Sequence, residues 1–350
     1  MTAPAAEYPV SGQDDIFQMV KGHYTAKALL ALWRLGLLSQ VGADHDDDLG
    51  ARALRLGIDL DQIRPLFDYL IVRGYLQRDE AGVYRPTART VAAAPYFGYF
   101  STMLGAYEPV FARIEDVLTG KLVYGRDLSR SYEEMVRGLT ALEDRLMGPV
   151  AAVAQEGATK VLDLGCGSAR MLTRICQLGP GIKAVGVDHS PDSCATARET
   201  VSREGLQDRV TILQGNAAEL ASLPKDVLAG VDMVSVMFLL HEILRQRGRE
   251  HVVGLLSEIG ELVGPGGRLV MVEVSGTTQP AYRENLLFVP EYELLHEYTN
   301  QRLAPREEWE VMVAEAGMTV SEVRPVDMCQ AFCLVATPVA GSARAGGSHG

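Results

Sequence analysis

The fold is decided by one stretch of sequence, Lys160-Val-Leu-Asp-Leu-Gly-Cys-Gly-Ser-Ala-Arg170. Its first half is mostly apolar and predicts a buried strand, and its last residue opens a helical pattern that runs to Leu178. Between the two lie Gly165 and Gly167. Glycine has no side chain, so the backbone of such a turn can come within contact distance of a ligand. The free N–H groups of the following helix then point at that ligand.

Four more strand-like segments follow, and their order predicts an α/β fold with a doubly wound, Rossmann-like sheet. These segments are 182–188, 210–214, 232–238 and 267–273. The first of them ends in Asp188, about 20 residues beyond the glycine strand, where a doubly wound sheet places the carboxylate that binds ribose hydroxyls. A sheet whose glycines only form turns is the alternative interpretation of this pattern.

The chain resembles the class I S-adenosylmethionine-dependent methyltransferases. Their first motif has the form D-x-G-x-G, which is matched here by Asp163, Gly165 and Gly167. A nicotinamide enzyme would carry a third glycine at the place of Arg170. The resemblance implies that S-adenosylmethionine is the cofactor. Where the family often has an acid near the adenine, this chain has an asparagine, whose amide can still bond an adenine edge. The implied cofactor-binding residues are Asp163, Gly165, Gly167, Asp188, Asn216 and Phe238.

The composition narrows the class of protein. A chain of 350 residues with a hydrophobic fraction of 47% predicts two domains with ample cores. A net charge of −12 argues against a nucleic-acid partner. No apolar run is long enough to cross a membrane, and the N-terminus lacks the pattern of a signal peptide. Five cysteines without a pairing pattern suggest reduced thiols, so we expect a cytoplasmic protein.

The first part of the chain is expected to be mainly helical. Apolar residues at helical spacing predict helices over 15–38, 49–57 and 61–74, and the turn 79–82 separates two strand-like segments. Two helices followed by a small hairpin form a winged-helix pattern, which often binds DNA. The acidic run 44–48 and the lack of a basic stripe argue against DNA here. The resemblance implies instead that this part holds a homodimer together.

The expected domain organisation has four parts. They are a winged-helix-like dimerisation domain, a helical linker or lid, a cofactor-binding catalytic domain and a disordered tail rich in Gly, Ser and Ala. Their predicted ranges are 1–95, 96–150, 151–338 and 339–350.

His241 directly follows the fourth predicted strand. In open α/β sheets ligands bind outside the carboxyl ends of the strands, so His241 should face the pocket. The surrounding stretch resembles the L-H-D-W segment of two-domain O-methyltransferases. There the matching histidine is the general base that deprotonates a hydroxyl group, a task that suits an imidazole at neutral pH.

A second histidine, His296, lies on a predicted helix after the fifth strand. Two histidines over one pocket, with carboxylates close by, are typical of a metal site. The pair resembles that of metal-dependent α-keto acid C-methyltransferases, which carry one histidine after the fourth strand and another after the fifth. This resemblance implies that His241 and His296 bind a catalytic metal, either zinc or iron. The acidic residues available as a third ligand are Glu242, Glu293 and Glu297.

The predicted function is methylation of the β-carbon of an α-keto acid such as 4-methyl-2-oxovalerate, in peptide-antibiotic biosynthesis. A 2-oxo acid can chelate a metal through its ketone and carboxylate oxygens, which makes the neighbouring C–H acidic. We expect Arg126 to join the catalytic residues His241 and His296 by binding the substrate carboxylate, although a solvated surface arginine is the alternative. The rival functions are an O-methyltransferase with His241 as general base and, from a different class, a winged-helix DNA-binding regulator.

Overall fold

The computed structural model describes residues 12–38, 48–276, 289–328 and 330–339. The chain divides into two compact units, Met1–Ala106 with Ser131–Leu142 and Tyr107–Arg130 with Glu143–Gly350. The expected linker is shared between these two units. The expected tail, apart from its first residue, and most of the acidic run lie outside the described residues. Within the described ranges, no helix combines the length and the apolar character that a membrane crossing requires.

The first unit is mainly helical, as predicted, and contains a small antiparallel hairpin. Its elements are α1 (Gln13–Arg34), α2 (Leu49–Arg55), α3 (Leu60–Val72), β1 (Leu76–Arg78), β2 (Tyr84–Pro86), α4 (Ala88–Ala93), a 3₁₀ turn (Ala94–Tyr96), α5 (Phe97–Tyr99), a π-helical segment (Phe100–Ala106) and α8 (Tyr132–Ala141). The side chains of Asp48 and Asp59 start α2 and α3 by accepting hydrogen bonds from N–H groups of the first turn. An apolar core that includes Leu32, Phe67 and Leu70 holds the unit together.

The second unit alternates strands and helices. Its helices are α6 (Glu108–Phe111), α7 (Ile114–Leu118), α9 (Glu143–Gln155), α10 (Arg170–Gln177), α11 (Pro191–Arg203), α12 (Lys225–Leu228), α13 (Leu240–Arg247), α14 (Arg249–Val263), α15 (Val289–Glu297) and α16 (Arg306–Glu315). Its strands are β3 (Lys160–Leu164), β4 (Lys183–Asp188), β5 (Val210–Gln214), β6 (Met233–Met237), β7 (Arg268–Val274), β8 (Met318–Pro325) and β9 (Ala331–Pro338). The five strands predicted from the sequence, β3 to β7, are all present.

These strands form one seven-stranded sheet in the order β5-β4-β3-β6-β7-β9-β8. Strands β3 to β7 are parallel, and β9 runs antiparallel to its two neighbours. The chain moves outward from β3 to β5 and then crosses to the other side of β3 to form β6, so the strand order reverses between β3 and β6. This confirms the predicted doubly wound α/β sheet, and the reversal is where such sheets bind their ligands.

The register brings the carboxyl ends of the parallel strands to one edge. Leu164 of β3 pairs with Val187 of β4 and with Val236 of β6. The same edge of the sheet therefore carries the glycine turn after β3, Asp188 at the end of β4 and Phe238 after β6.

Helices cover both faces of the sheet, so its central strands are buried almost throughout. Strand β7 is buried from Leu269 to its end, and Leu269 and Met271 belong to the main apolar core of the unit. Its penultimate residue, Glu273, is a carboxylate with no exposed surface. Because a buried charge is costly unless it is paired, the groups that contact Glu273 mark a candidate functional site at this edge of the sheet.

Candidate functional site

The turn between β3 and α10 has the backbone that its glycines allow. Gly165 and Gly167 have φ angles of 80° and 52°, in the left-handed region that favours glycine. A Cβ atom on Gly165 would lie 3.1 Å from the Leu239 side chain, whereas one on Gly167 would meet nothing within 4 Å. The N–H groups of Gly165 and Cys166 donate to the Val187 carbonyl at 2.8 and 3.0 Å. The turn is thus held on β4 and leaves open space at Gly167.

Asp188 ends β4 beside this turn. One carboxylate oxygen accepts a hydrogen bond from the N–H of Gly167 at 3.0 Å, and the other accepts from the N–H of Ser190 at 2.9 Å. Each carboxylate oxygen can accept about two hydrogen bonds. The carboxylate of Asp188 therefore retains acceptor capacity for a ligand hydroxyl at the mouth of the turn.

Asp163 lies behind the turn, in the middle of the sheet. Burial raises the pKa of its carboxyl to about 7, opposed by a hydrogen bond from Ser235 and reinforced by the negative charge of Asp188. The Ser235 hydroxyl lies 2.8 Å from the carboxylate and donates to it. Because this pKa is close to neutral pH, a charged group that binds next to Asp163 can change the charge of its carboxyl.

The two remaining predicted cofactor residues lie after the neighbouring strands. The amide oxygen of Asn216 accepts a hydrogen bond from the Ala218 N–H at 3.0 Å. Phe238 has a φ of 52°, which non-glycine residues rarely adopt, and its N–H donates to the Val272 carbonyl at 2.9 Å. This turn at the end of β6 leads directly into α13.

His241 is in the first turn of α13 and is 2% exposed. Its Nδ1 atom lies 2.6 Å from Oε2 of Glu273. The other carboxylate oxygen of Glu273 accepts the backbone N–H of Leu240 at 2.8 Å. A carboxylate in this position accepts from Nδ1, so Nε2 is the ring nitrogen left for another partner.

His296 is on α15 and is also 2% exposed. Its Nδ1 atom donates to the Tyr292 carbonyl at 2.6 Å, because a carbonyl oxygen can only accept. Burial lowers the pKa of His296 well below its usual value. This imidazole is therefore neutral, and its Nε2 atom carries a lone pair.

The two imidazoles meet edge to face, with ring centroids 5.3 Å apart and planes at 74°. The backbone fixes this spacing, since the N–H of Gln301 donates to the His296 carbonyl and that of Arg302 to the His241 carbonyl, both at 3.0 Å. Two imidazoles bound to one tetrahedral ion at about 2.0–2.1 Å have centroids roughly 5 Å apart. The described pair therefore fits a shared metal ion in chemistry and in separation.

Two of the three acids available as a third ligand, Glu242 and Glu297, lie next to arginines. Glu242 forms an ion pair with Arg130 and accepts a hydrogen bond from the Gln301 amide at 2.7 Å. Glu297 is 60% exposed and lies 3.8 Å from Arg245. Glu293 is half-buried on the same helix. In the part of the chain that the structure describes, no group of three or more His, Cys, Asp and Glu side chains is arranged to hold a metal ion.

Arg130, rather than Arg126, lies beside the histidines. The Arg126 side chain is 68% exposed and pairs with its neighbour Asp127 at 2.7 Å. The guanidinium of Arg130 contacts Glu242 and the phenol of Tyr107, whose ring centroid is 6.0 Å from that of His296. Burial raises the pKa of Tyr107, so it remains a neutral hydrogen-bonding group at this site.

Sequence reasoning missed three residues of this site, Glu273, Arg130 and Gln301. Glu273 left a usable signal, because an acid near the end of an apolar strand needs a buried partner and the adjacent strand leads to His241. Arg130 and Gln301 left none, since both belong to irregular segments in which spacing does not show which side chain points inward.

Comparison with known proteins covers the glycine turn and both histidines. Residues 155–316 match a family model described as a methyltransferase domain, and the match contains the glycine turn and both histidines. Over 321 residues the chain is 26% identical to the 2-ketoarginine methyltransferase of Streptomyces arginensis, an alignment that covers 89% of this chain and 90% of that protein.

Solved structures share the fold over nearly the full chain. The mitomycin 7-O-methyltransferase MmcR superposes with a TM-score of 0.67 at 18% identity, covering 94% of this chain and 98% of its own. The structure of PigF with SAH superposes with a TM-score of 0.64 at 19% identity, covering 94% of this chain and 100% of its own.

Proposed function

The chain is a class I S-adenosylmethionine-dependent methyltransferase, and we propose that it methylates the β-carbon of a 2-oxo acid at a metal ion held by His241 and His296. One observation carries this proposal. Two buried imidazoles, with ring centroids 5.3 Å apart, both direct Nδ1 at an acceptor, which leaves Nε2 of each as the nitrogen that can bind a metal. A general base needs one such nitrogen, whereas a shared metal ion needs two.

The acceptor class has independent support. The relative from Streptomyces arginensis is named for a 2-oxo acid, 2-ketoarginine, and it aligns over most of both chains. A bound metal would draw electron density from the ketone of such an acid and acidify the neighbouring C–H. Zinc and iron both accept two imidazoles together with oxygen donors.

The residues around the histidines have separate tasks. Glu273 and the Tyr292 carbonyl hold the protons on the two Nδ1 atoms and so orient both Nε2 lone pairs. We assign Arg130 to the substrate carboxylate in place of Arg126, because its guanidinium lies beside the pair and has more N–H donors than Glu242 and Tyr107 occupy.

The cofactor is assigned to the glycine turn. The open space at Gly167 leaves room for the amino-acid part of S-adenosylmethionine, and Asp188 offers acceptors to the ribose hydroxyls. Asn216 and Phe238, which follow the neighbouring strands, are assigned to the adenine side. Methyl transfer then needs in-line attack by the acceptor carbon, which is mainly a matter of positioning.

An O-methyltransferase is the second candidate, and the His241–Glu273 pair favours it. A carboxylate that orients an imidazole is also the arrangement of a general base. In this alternative His241 deprotonates a hydroxyl group and His296 is a packing residue. The similarity of the fold to an O-methyltransferase does not decide between the two, because it shows the fold alone.

The two candidates give opposite results in one experiment. We expect purified protein to contain a divalent metal, and strong chelation and His296→Ala each to remove metal and activity while S-adenosylmethionine affinity is unchanged. The control is His251→Ala on α14, whose imidazole bonds the Ala218 carbonyl away from the pair. Full turnover by metal-free protein would overturn the C-methylation proposal and leave His241 as a general base.

The biological setting is a separate proposal. The cysteines Cys166, Cys176, Cys194 and Cys333 are free. This supports a reducing cytoplasm. We place the reaction in the biosynthesis of a peptide antibiotic, and we assign the first unit to homodimerisation through a winged-helix-like arrangement.

A further inference from the structure

A buried row of residues crosses the sheet next to the glycine turn. In the register of the strands, Asp163 of β3 pairs with Gly186 of β4 on one side and with Ser235 of β6 on the other. Gly186 has no side chain, and a Cβ atom there would lie 2.8 Å from Cys166 Sγ and 2.9 Å from Leu172 Cδ1. Asp163 and Ser235 are 4% and 0% exposed. On the two adjacent strands, the Ser235 hydroxyl is therefore the polar side chain that pairs with Asp163.

The Ser235 hydroxyl can serve both protonation states of Asp163. It lies 2.8 Å from Oδ1 of Asp163 and 3.4 Å from the Leu162 carbonyl. A hydroxyl is both a donor and an acceptor. It donates to Oδ1 when the carboxyl is ionised, and it can accept from a protonated carboxyl while it turns its own proton to the Leu162 carbonyl. The first of these bonds is charge-assisted and about twice as strong, so Ser235 favours the ionised form.

The second oxygen of Asp163 has a different environment. No hydrogen bond from the described residues reaches Oδ2. Among those residues, the indole Nε1 of Trp309 is the only fully enclosed side-chain nitrogen or oxygen without a partner. Oδ2 therefore keeps some accessible surface, and Asp163 is the penultimate residue of β3, where the glycine turn begins. This oxygen remains available to a ligand at that turn.

We propose that Ser235 is a positioning residue for cofactor binding: its hydroxyl holds the Asp163 carboxyl as a counter-charge for S-adenosylmethionine, whose binding expels the proton that the empty site keeps. This role rests on the proposed place of the cofactor at the glycine turn. S-adenosylmethionine carries a sulfonium, an ammonium and one carboxylate, so its net charge is plus one. A cation next to a carboxyl favours the ionised form. The proton passes to the buffer, and no other bond changes.

The groups that face Asp163 in the empty protein favour its neutral form. Burial raises the pKa of Asp163 to about 7, opposed by Ser235 and reinforced by the carboxylate of Asp188 at the end of β4. In the turn, burial also raises the pKa of the Cys166 thiol, which is therefore neutral. The imidazole of His189 lies 3.8 Å from Asp188 but is 84% exposed, so solvent screens it. The cofactor thus brings the positive charge that this part of the site lacks.

The test counts the protons released when the full chain binds S-adenosylmethionine. Calorimetry at pH 7, repeated in buffers of different ionisation enthalpy, gives this number. We expect wild type to release about half a proton more than Asp163→Asn, because a carboxyl with a pKa of about 7 is about half protonated at that pH. Between pH 5.5 and pH 7, Kd should fall about tenfold in wild type and less than about twofold in Asp163→Asn. Equal proton release in the two proteins would overturn this role and leave the cofactor assignment standing, whereas failure of wild type to bind the cofactor would overturn the assignment itself.

Removal of the Ser235 hydroxyl tests the positioning role directly. Ser235→Ala should raise proton release at pH 7 toward one proton and raise Kd at least about threefold, because more of the empty protein then holds the proton. The matched control is Thr200→Val, which removes the hydroxyl of a threonine that is 4% exposed on α11 and should behave like wild type.

A purely structural role for Ser235 would raise Kd without changing the number of protons released. Wild-type proton release in folded Ser235→Ala, or the same increase in Thr200→Val, would therefore refute the assignment. If Ser235→Ala does not fold, the comparison of wild type with Asp163→Asn decides the matter.

Discussion

His241 of α13 and Glu273 of β7 form the most enclosed polar contact of the site, with 2.6 Å between Nδ1 and Oε2 and with side chains that are 3% and 0% exposed. The carboxylate determines which imidazole nitrogen is free. Both candidate reactions depend on that nitrogen, either as a metal ligand or as a base. Substitution of Glu273 therefore tests whether His241 acts as a metal ligand or as a general base.

For Glu273→Gln we expect metal affinity and activity to fall together by about 10–100-fold, the range found for partners of metal-bound histidines. The amide keeps the shape but loses the charge that supports the imidazole. Metal content and kcat of the purified variant measure this. Glu322→Gln, in an exposed ion pair on β8 of the same sheet, is the control. Loss of activity with full metal content would contradict the metal-ligand role.

Variants of Arg126 and Arg130 test which of the two arginines binds the substrate carboxylate. Arg130→Lys keeps the charge but not the planar fork, so KM for the 2-oxo acid should rise by at least about tenfold. Arg126→Lys should change KM by less than about twofold, because that side chain is mostly exposed and paired with Asp127. Steady-state kinetics with each variant give the answer. The reverse order of effects would return the role to Arg126.

Asp163 predicts a pH dependence of stability. Its folded pKa of about 7 lies above the ordinary value of 3.8. The folded protein thus keeps a proton that the unfolded chain releases, and stability falls as pH rises from about 4 to about 7. Between pH 5 and pH 8, the free energy of unfolding of the cofactor-free protein should fall by about 2–3 kcal/mol more than that of Asp163→Asn. Urea unfolding at the two pH values measures it, and equal changes in both proteins would rule it out.

The exposed half of α1 predicts a dimer. Its apolar side chains are exposed over the first three turns, with Ile16 at 60%, Met19 at 69% and Val20 at 47%. These residues form a stripe at helical spacing that a second copy of the chain would cover. Val20→Glu should convert a dimer to a monomer in sedimentation experiments.

The control for Val20→Glu is Val72→Glu, which places the same charge on an apolar residue that is 81% exposed at the end of α3. The control should remain a dimer. A monomeric wild-type protein, or a dimer that persists in Val20→Glu, would contradict the assignment of α1.

The sequence predicted the strands and the glycine turn because burial on both faces leaves a continuous apolar run, as in β3 and β7. It also predicted that His241 and His296 would meet, since each follows a parallel strand whose carboxyl end lies at the same edge. Both predictions rest on regular structure, in which spacing determines direction.

The sequence could not predict which arginine turns inward. Arg126 and Arg130 lie four residues apart in an irregular segment, and only the folded chain shows that Asp127 holds the first while Glu242 holds the second. Glu242 was one of three acids available as a third metal ligand. It pairs with Arg130, which comes from a part of the chain with no regular period.

The backbone bonds that join Gln301 to His296 and Arg302 to His241 have a consequence for how this enzyme can change. They belong to the main chain, so replacing the side chains at 299–302 does not remove them. The Gln301 side chain meanwhile contacts Glu242. Substitutions at Gln301 can therefore change the surroundings of Glu242 while the main-chain bonds that space the imidazoles stay in place, so one polar contact of the site can vary independently of the other.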